Sequence, residues 1–194
     1  IINHPYREEI PIALATLGEK SVEMTAEMAD AWLPAFFMAE GADAVWGDAL
    51  RAGQKKRDPG RPPLDIYAGG AVAIGDNLES YRDMSRSGIA LYVGGMGAKE
   101  KNFYNQVFRK YGYEAEAEAI QELYLSGRKS EAEAATPQSY LDATSLVGSP
   151  GFVKDRLVAL KEHGVTSLNV SFLGTTSQER INHCDALKNL IESI

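Results

Sequence analysis

A chain of 194 residues and 21.1 kDa holds one domain rather than two independent enzymatic ones, and its 44% hydrophobic and 24% charged residues exclude a disordered, collagen-like or low-complexity polymer. With 20 Lys and Arg against 27 Asp and Glu the net charge is −7, so no overall field draws a phosphate backbone and nucleic acid is not expected as a partner. The single cysteine, Cys184, excludes an internal disulfide and a cysteine-zinc framework, no run approaches the ~20 apolar residues of a membrane span, and no signal-peptide pattern is seen, which together suggest a cytoplasmic protein with no membrane partner.

The opening Ile1-Ile2-Asn3 lacks a methionine and suggests a piece of something longer. The first regular unit is the apolar run Ile10 to Ala15, read as a parallel strand buried on both faces. After the turn Thr16-Leu17-Gly18, Val22, Ala26 and Ala29 form a helical stripe. A second strand is expected over Ala31 to Phe37 and a second helix through Ala42, Val45, Trp46, Ala49 and Leu50. The basic run Lys55-Lys56-Arg57 reads as a solvated helix end, and Pro59-Gly60-Arg61-Pro62-Pro63 breaks the chain.

A third strand is expected over Leu64 to Ile74, where Gly69-Gly70 implies a bulge or a close backbone approach. Asp76-Asn77-Leu78-Glu79 reads as a capped helix start. From about 79 to 147 the composition is that of an inserted helical segment, interrupted at Gly94-Gly95-Met96-Gly97, with Glu-Ala tracts on solvated faces. Ser149 and Pro150 then suit the N-cap and first position of a helix buried through Val153, Leu157 and Leu160, which His163-Gly164 ends. A fourth strand is expected over Val165 to Phe172, and Thr176-Ser177-Gln178-Glu179 is a capping box for a last helix with Ile181, Cys184, Leu187, Ile191 and Ile194 inward. The pattern is four parallel strands, each followed by a helix.

Ligands of parallel α/β proteins collect at the carboxyl ends of the strands. The first turn, Thr16-Leu17-Gly18-Glu19-Lys20, places a glycine at a helix N-terminus, where free N–H groups and the helix dipole favour an anion; the Thr16 hydroxyl and the Lys20 charge are candidate additions. Tight packing alone also asks for glycine in such a turn. No Walker or dinucleotide fingerprint is present, and His4, His163, His183 and Cys184 have no metal-ligand spacing, so no metal is expected.

The segment from Pro11-Ile12-Ala13-Leu14-Ala15-Thr16-Leu17-Gly18-Glu19-Lys20-Ser21 to Ala31-Trp32-Leu33-Pro34 resembles the strand-loop-helix-strand of the second half of the bacterial luciferase-like monooxygenase family, in its subgroup of coenzyme F420-dependent oxidoreductases. Val147-Gly148-Ser149-Pro150 and His163-Gly164-Val165 resemble that family's final βα segment. The resemblance implies an α/β fold, the C-terminal half of a (β/α)8 TIM barrel with a helical insertion before the last strand. It implies a cofactor-phosphate loop at Thr16, Leu17, Gly18, Glu19 and Lys20, and an approach of Gly69 and Gly70 to cofactor or substrate. The implied activity is hydride transfer between F420 and a small organic substrate, in a complete protein expected to be a homo-oligomer. An FMN-dependent monooxygenase of the same fold and a noncatalytic ligand-binding or assembly domain are the alternatives. No catalytic acid transfers residue by residue, and four unclosed parallel strands are expected to leave an isolated piece insoluble or self-associating.

Overall fold

The computed structural model describes residues 4, 6 and 10–194. Parallel strands and helices alternate through the first third of the chain: β1 (Ala13–Leu14), α1 (Glu19–Met28), β2 (Ala31–Trp32), α2 (Asp48–Lys56), β3 (Asp65–Ala68) and β4 (Ala71–Ile74). A helical block follows, made of α3 (Glu79–Asp83), α4 (Ser85–Gly95), α5 (Phe103–Lys110), α6 (Glu114–Leu125), α7 (Lys129–Ala134) and α8 (Gln138–Thr144). The chain then returns to the sheet through β5 (Leu146–Gly148), α9 (Pro150–Glu162), β6 (Ser167–Leu168), β7 (Ser171–Phe172) and α10 (Ser177–Ile191).

β1 pairs with β2, β2 with β3 and β3 with β6, all in parallel, while β4 lies between β5 and β7. The units β1, β2, β3–β4 and β6–β7 therefore stand side by side in chain order. Right-handed crossovers between strands in sequential order put every crossover helix on the same face, as in an arc of a barrel and unlike a doubly wound sheet. A core of Val22, Trp32, Trp46, Val72, Leu146, Val153 and Leu157 fills the layer between strands and helices. The helical block has its own core around Phe108, Ile120, Tyr140 and Leu141, and Phe36 and Tyr111 pack against both.

Several expectations are corrected. β1 is an edge strand, with Ile10 68% and Ile12 60% exposed, because no strand covers its outer side among the described residues. The expected second strand ends at Trp32; Pro34 cannot donate to a ladder, and the chain passes through Phe36 at φ +59° before a 3-10 turn at Ala39–Gly41 and a π-turn at Asp43–Gly47. The expected third and fourth strands each split in two, at Gly69-Gly70 and at Asn169-Val170. β5 is a further strand that the sequence reading lacks, three residues hidden between a helix and a Ser-Pro cap.

Asp76 does not cap α3; Asn77 takes a left-handed φ of +56° and Leu78 is the N-cap, with no side-chain bond. Gly94 and Gly95 are not a loop but the last turn of α4, where an added Cβ would lie 2.5 and 2.4 Å from Tyr124 atoms, so they permit close packing on α6. Arg57 is not solvated: it is 6% exposed and its guanidinium donates to the carbonyls of Ala26, Ala29 and Pro62. On α10 the inward residues are His183 and Leu187, while Ile181, Cys184 and Ile191 are exposed, because the helix is rotated to put His183 against the end of β4.

Other local readings hold. Val22, Ala26 and Ala29 are buried, as are Val153, Leu157 and Leu160. Ser149 Oγ accepts the Phe152 N–H and Thr176 Oγ1 accepts the Glu179 N–H, so both helix starts are capped where the sequence places them. No helix among the described residues is long and apolar enough to cross a membrane.

Candidate functional site

The turn after β1 is held open by two buried indoles. Trp32, at the end of β2, donates from Nε1 to the Thr16 carbonyl at 2.9 Å, and Trp46 donates to the Leu17 carbonyl at 3.0 Å. The rings meet edge to face with centroids 5.2 Å apart, and neither side chain is more than 1% exposed. Both carbonyls are thereby turned into the core. A tryptophan in a core needs an acceptor for its N–H, and that requirement is the sequence signal for these two supports.

Gly18 is the N-cap of α1 at φ −72° and ψ 144°, with no side chain capping the helix. The first intrahelical bond runs from the Val22 N–H to the Gly18 carbonyl, which leaves the Glu19, Lys20 and Ser21 amides without an acceptor among the described residues. Beside them opens a cavity of about 290 Å³, bounded by the turn, by Ser21, Leu33 and Ala35, and by Phe103 and Tyr104 of the helical block. The Phe103 ring lies over the turn so closely that a Cβ on Gly18 would be 3.3 Å from it.

The hydroxyls divide the labour differently from the sequence expectation. Ser21 Oγ donates to the Gly18 carbonyl and Thr25 Oγ1 to the Ser21 carbonyl, each at 2.7 Å. Thr25 thus spends its one hydrogen, so in its 2.8 Å contact with Thr16 the donor is Thr16. With its hydrogen given to Thr25, the Thr16 hydroxyl has none left for an anion, and the remaining donors are backbone amides and the Lys20 ammonium. Lys20 and Glu19 are exposed, and Lys20 has no ion-pair partner among the described residues. An uncapped first turn with the positive end of the helix dipole suits a phosphate group.

Gly69 and Gly70 do not line this cavity. Gly69, at φ +155°, would put a Cβ 2.6 Å from the Asn169 carbonyl, and Gly70, at φ +158°, one 2.7 Å from the Thr144 carbonyl. Their close approach is to the protein's own backbone on either side. His183 Nδ1 accepts the Ile74 N–H at 3.1 Å, which places its proton on Nε2. Among the described residues no three His, Cys, Asp or Glu side chains converge on a metal position.

At the strand ends the structure also shows a strained residue with no sequence signal. Among the described residues Phe36 is one of two non-glycine residues with positive φ, and its ring is ringed edge-on by Tyr92 and Tyr104, 5.8 and 5.4 Å away. Tyr104 also lines the Gly18 cavity, so the aromatic group and the turn share a wall.

Residues 1–167 match the family model described as luciferase-like monooxygenase. A Mycobacterium tuberculosis protein provisionally named a coenzyme F420-dependent oxidoreductase is 34% identical over 183 residues, which is 92% of this chain and 52% of that protein. Among solved structures, the coenzyme F420-dependent tetrahydromethanopterin reductase of Methanopyrus kandleri superposes with a TM-score of 0.65 at 21% identity, over 94% of this chain and 49% of its own. An F420-dependent secondary alcohol dehydrogenase, solved with an F420-acetone adduct, gives 0.61 at 10% identity, over 93% and 49%. These structures share the fold, and the chain spans about half the length of the relatives it matches.

Proposed function

The chain belongs to the luciferase-like monooxygenase family, and on that premise we propose that it serves a coenzyme F420-dependent oxidoreductase acting on a small organic substrate, with the turn Thr16–Lys20 holding the cofactor's phosphate. The observation that carries this reading is the uncapped first turn of α1 facing a cavity, its Thr16 and Leu17 carbonyls turned away by Trp32 and Trp46. Carbonyls left pointing outward would repel a phosphate; with both held inside, the first-turn N–H groups are left to meet it, with the exposed Lys20 on the same turn. Phe103 and Tyr104 give the same cavity an apolar wall that limits water around the bound anion. The cofactor, when bound, supplies hydride transfer at its deazaflavin ring, and the role of this chain's residues is to bind and orient it. Support for F420 comes from the names of the relatives.

Titration of the chain with F420 and separately with FMN, read from the backbone amide resonances of Gly18 to Ser21, tests this. F420 is expected to shift these amides, and Gly18→Asp, whose carboxylate caps the helix itself, is expected to abolish the shift while α1 stays folded. Shifts with FMN but none with F420 would replace the proposal by the flavin-dependent monooxygenase, and no shift with either would remove the phosphate role of this turn.

A further inference from the structure

We propose that the helical block carries a second binding site, for a free α-amino acid, in a polar cavity on the far side of α5 from the Gly18 turn. The cavity measures about 280 Å³ and is lined by Asn105, Gln106 and Arg109 of α5, by Gln121 of α6 and by the turn Lys99-Glu100. It shares no lining residue with the Gly18 cavity, which takes Phe103 and Tyr104 from the same helix. Its groups all lie between residues 99 and 121 and are set in place by α4, α5 and α6.

A buried amide aims the guanidinium. Asn105 is 4% exposed and donates both of its side-chain hydrogens, to the Val93 carbonyl at 3.1 Å and to the Ala117 carbonyl at 2.8 Å. Its Oδ1 is fixed by those two bonds and accepts from Arg109 Nε at 2.8 Å. With Nε engaged, the Nη1 and Nη2 edge of the half-buried Arg109 is left, and neither nitrogen has an acceptor among the described residues. That edge is the fork that takes a carboxylate through two parallel N–H bonds.

Gln121 supplies the opposite chemistry. It is 5% exposed and donates from Nε2 to the Lys99 carbonyl at 3.1 Å, while its Oε1 has no partner among the described residues. That oxygen is not sealed in protein, so it opens on the cavity its side chain lines. A side chain this deeply buried does not leave an acceptor unused without a ligand or water to meet it. Glu100 lines the same cavity, and neither it nor Lys99 has an ion-pair partner among the described residues.

The cavity therefore offers a donor fork together with an open acceptor and an acid. A phosphate or a simple anion would use the fork but face the Gln121 and Glu100 oxygens, and a cation would meet Arg109. A zwitterion satisfies both, with its carboxylate on Arg109 and its ammonium on Gln121 Oε1. The volume, below the roughly 300–1,000 Å³ of drug-sized sites, suits a molecule no larger than an amino acid. The inference does not depend on which cofactor binds at the Gly18 turn.

The test is titration of the chain with L-alanine, L-glutamate and L-glutamine, read by NMR from the Gln121 side-chain amide and the Arg109 Nε–H. At least one of them is expected to shift both resonances saturably. Its N-acetyl derivative, which lacks the ammonium, and its carboxamide, which lacks the carboxylate, are each expected to bind about tenfold more weakly. Arg109→Lys keeps the charge and loses the fork, and is expected to weaken binding by about the same factor. The derivatives are read on the parent chain, so the outcome does not hang on a variant that fails to fold. No saturable shift with any of the amino acids, equal binding of the acetylated or amidated form, or parental affinity in Arg109→Lys would each overturn the proposal.

Discussion

The Tyr111 hydroxyl donates to the Phe36 carbonyl at 3.0 Å and accepts the Met38 N–H at 3.1 Å, so one phenol from the helical block spans Phe37 and fastens the carbonyl of Phe36, which is held at φ +59°. Burial pushes the Tyr111 hydroxyl above its usual range, against the opposing effect of the Met38 N–H, and it stays a donor at any working pH. The ring also meets Trp46 edge-on at 6.0 Å. The block is thereby tied to the core that supports the Thr16–Lys20 turn.

Tyr111→Phe keeps the ring and strips both bonds, leaving a carbonyl and an N–H without partners. It is expected to cost about 1–3 kcal/mol in urea unfolding and to speed hydrogen exchange at Met38. A variant as stable as the parent would show that the bridge contributes nothing.

Arg57 closes the C-terminal end of α1 by donating to Ala26 and Ala29, and holds the Pro62 carbonyl through Nε and a second nitrogen. A lysine ammonium has the charge but not the fork that spans these carbonyls. Arg57→Lys and Arg57→Met are both expected to lose about 3 kcal/mol, measured from denaturation midpoints; a lysine variant at parental stability would mean that charge alone suffices.

Glu179 is held at a pKa of about 2, below the ordinary 4.5, first by the Tyr81 hydroxyl and then by the Thr175 N–H. Because the folded value is the lower one, this stabilisation is present above pH 4.5 and is lost as pH falls toward 2. The melting-temperature advantage of the parent over Glu179→Gln is therefore expected at neutral pH and to shrink between about pH 5 and 2. An advantage that does not change with pH would refute the assignment.

Gly70→Ala places a methyl 2.7 Å from the Thr144 carbonyl on a backbone at φ +158°. A loss of about 2 kcal/mol is expected with no ligand present, read by thermal unfolding. If the variant keeps its stability and loses only cofactor binding, Gly70 belongs to the site rather than to the sheet.

The readable parts of this chain were those set by neighbours in sequence. The caps at Ser149 and Thr176, the stripe of Val22, Ala26 and Ala29, and the glycine at the start of α1 each follow from spacings within one helix turn. The candidate turn was legible for the same reason. Its supports were not, since Trp32 and Trp46 reach it across 16 and 29 residues of chain. α10 shows the limit most plainly: Ile181, Cys184, Leu187 and Ile191 fit an apolar stripe, yet the pairing of His183 with Ile74, 109 residues away, decides how the helix is turned.

The amino-acid sequence by itself determined the parallel β/α order, the helical block and the helix start at Gly18, because periodicity, proline and glycine act locally. Tertiary structure alone decided that Arg57 is buried, that Gly69 and Gly70 lie close against the Asn169 and Thr144 carbonyls, and that the Thr16 hydroxyl gives its hydrogen to Thr25. Those outcomes depend on which distant carbonyl, ring or strand edge each group meets, and hydrogen-bonding partners chosen across the fold leave no periodic trace in the chain.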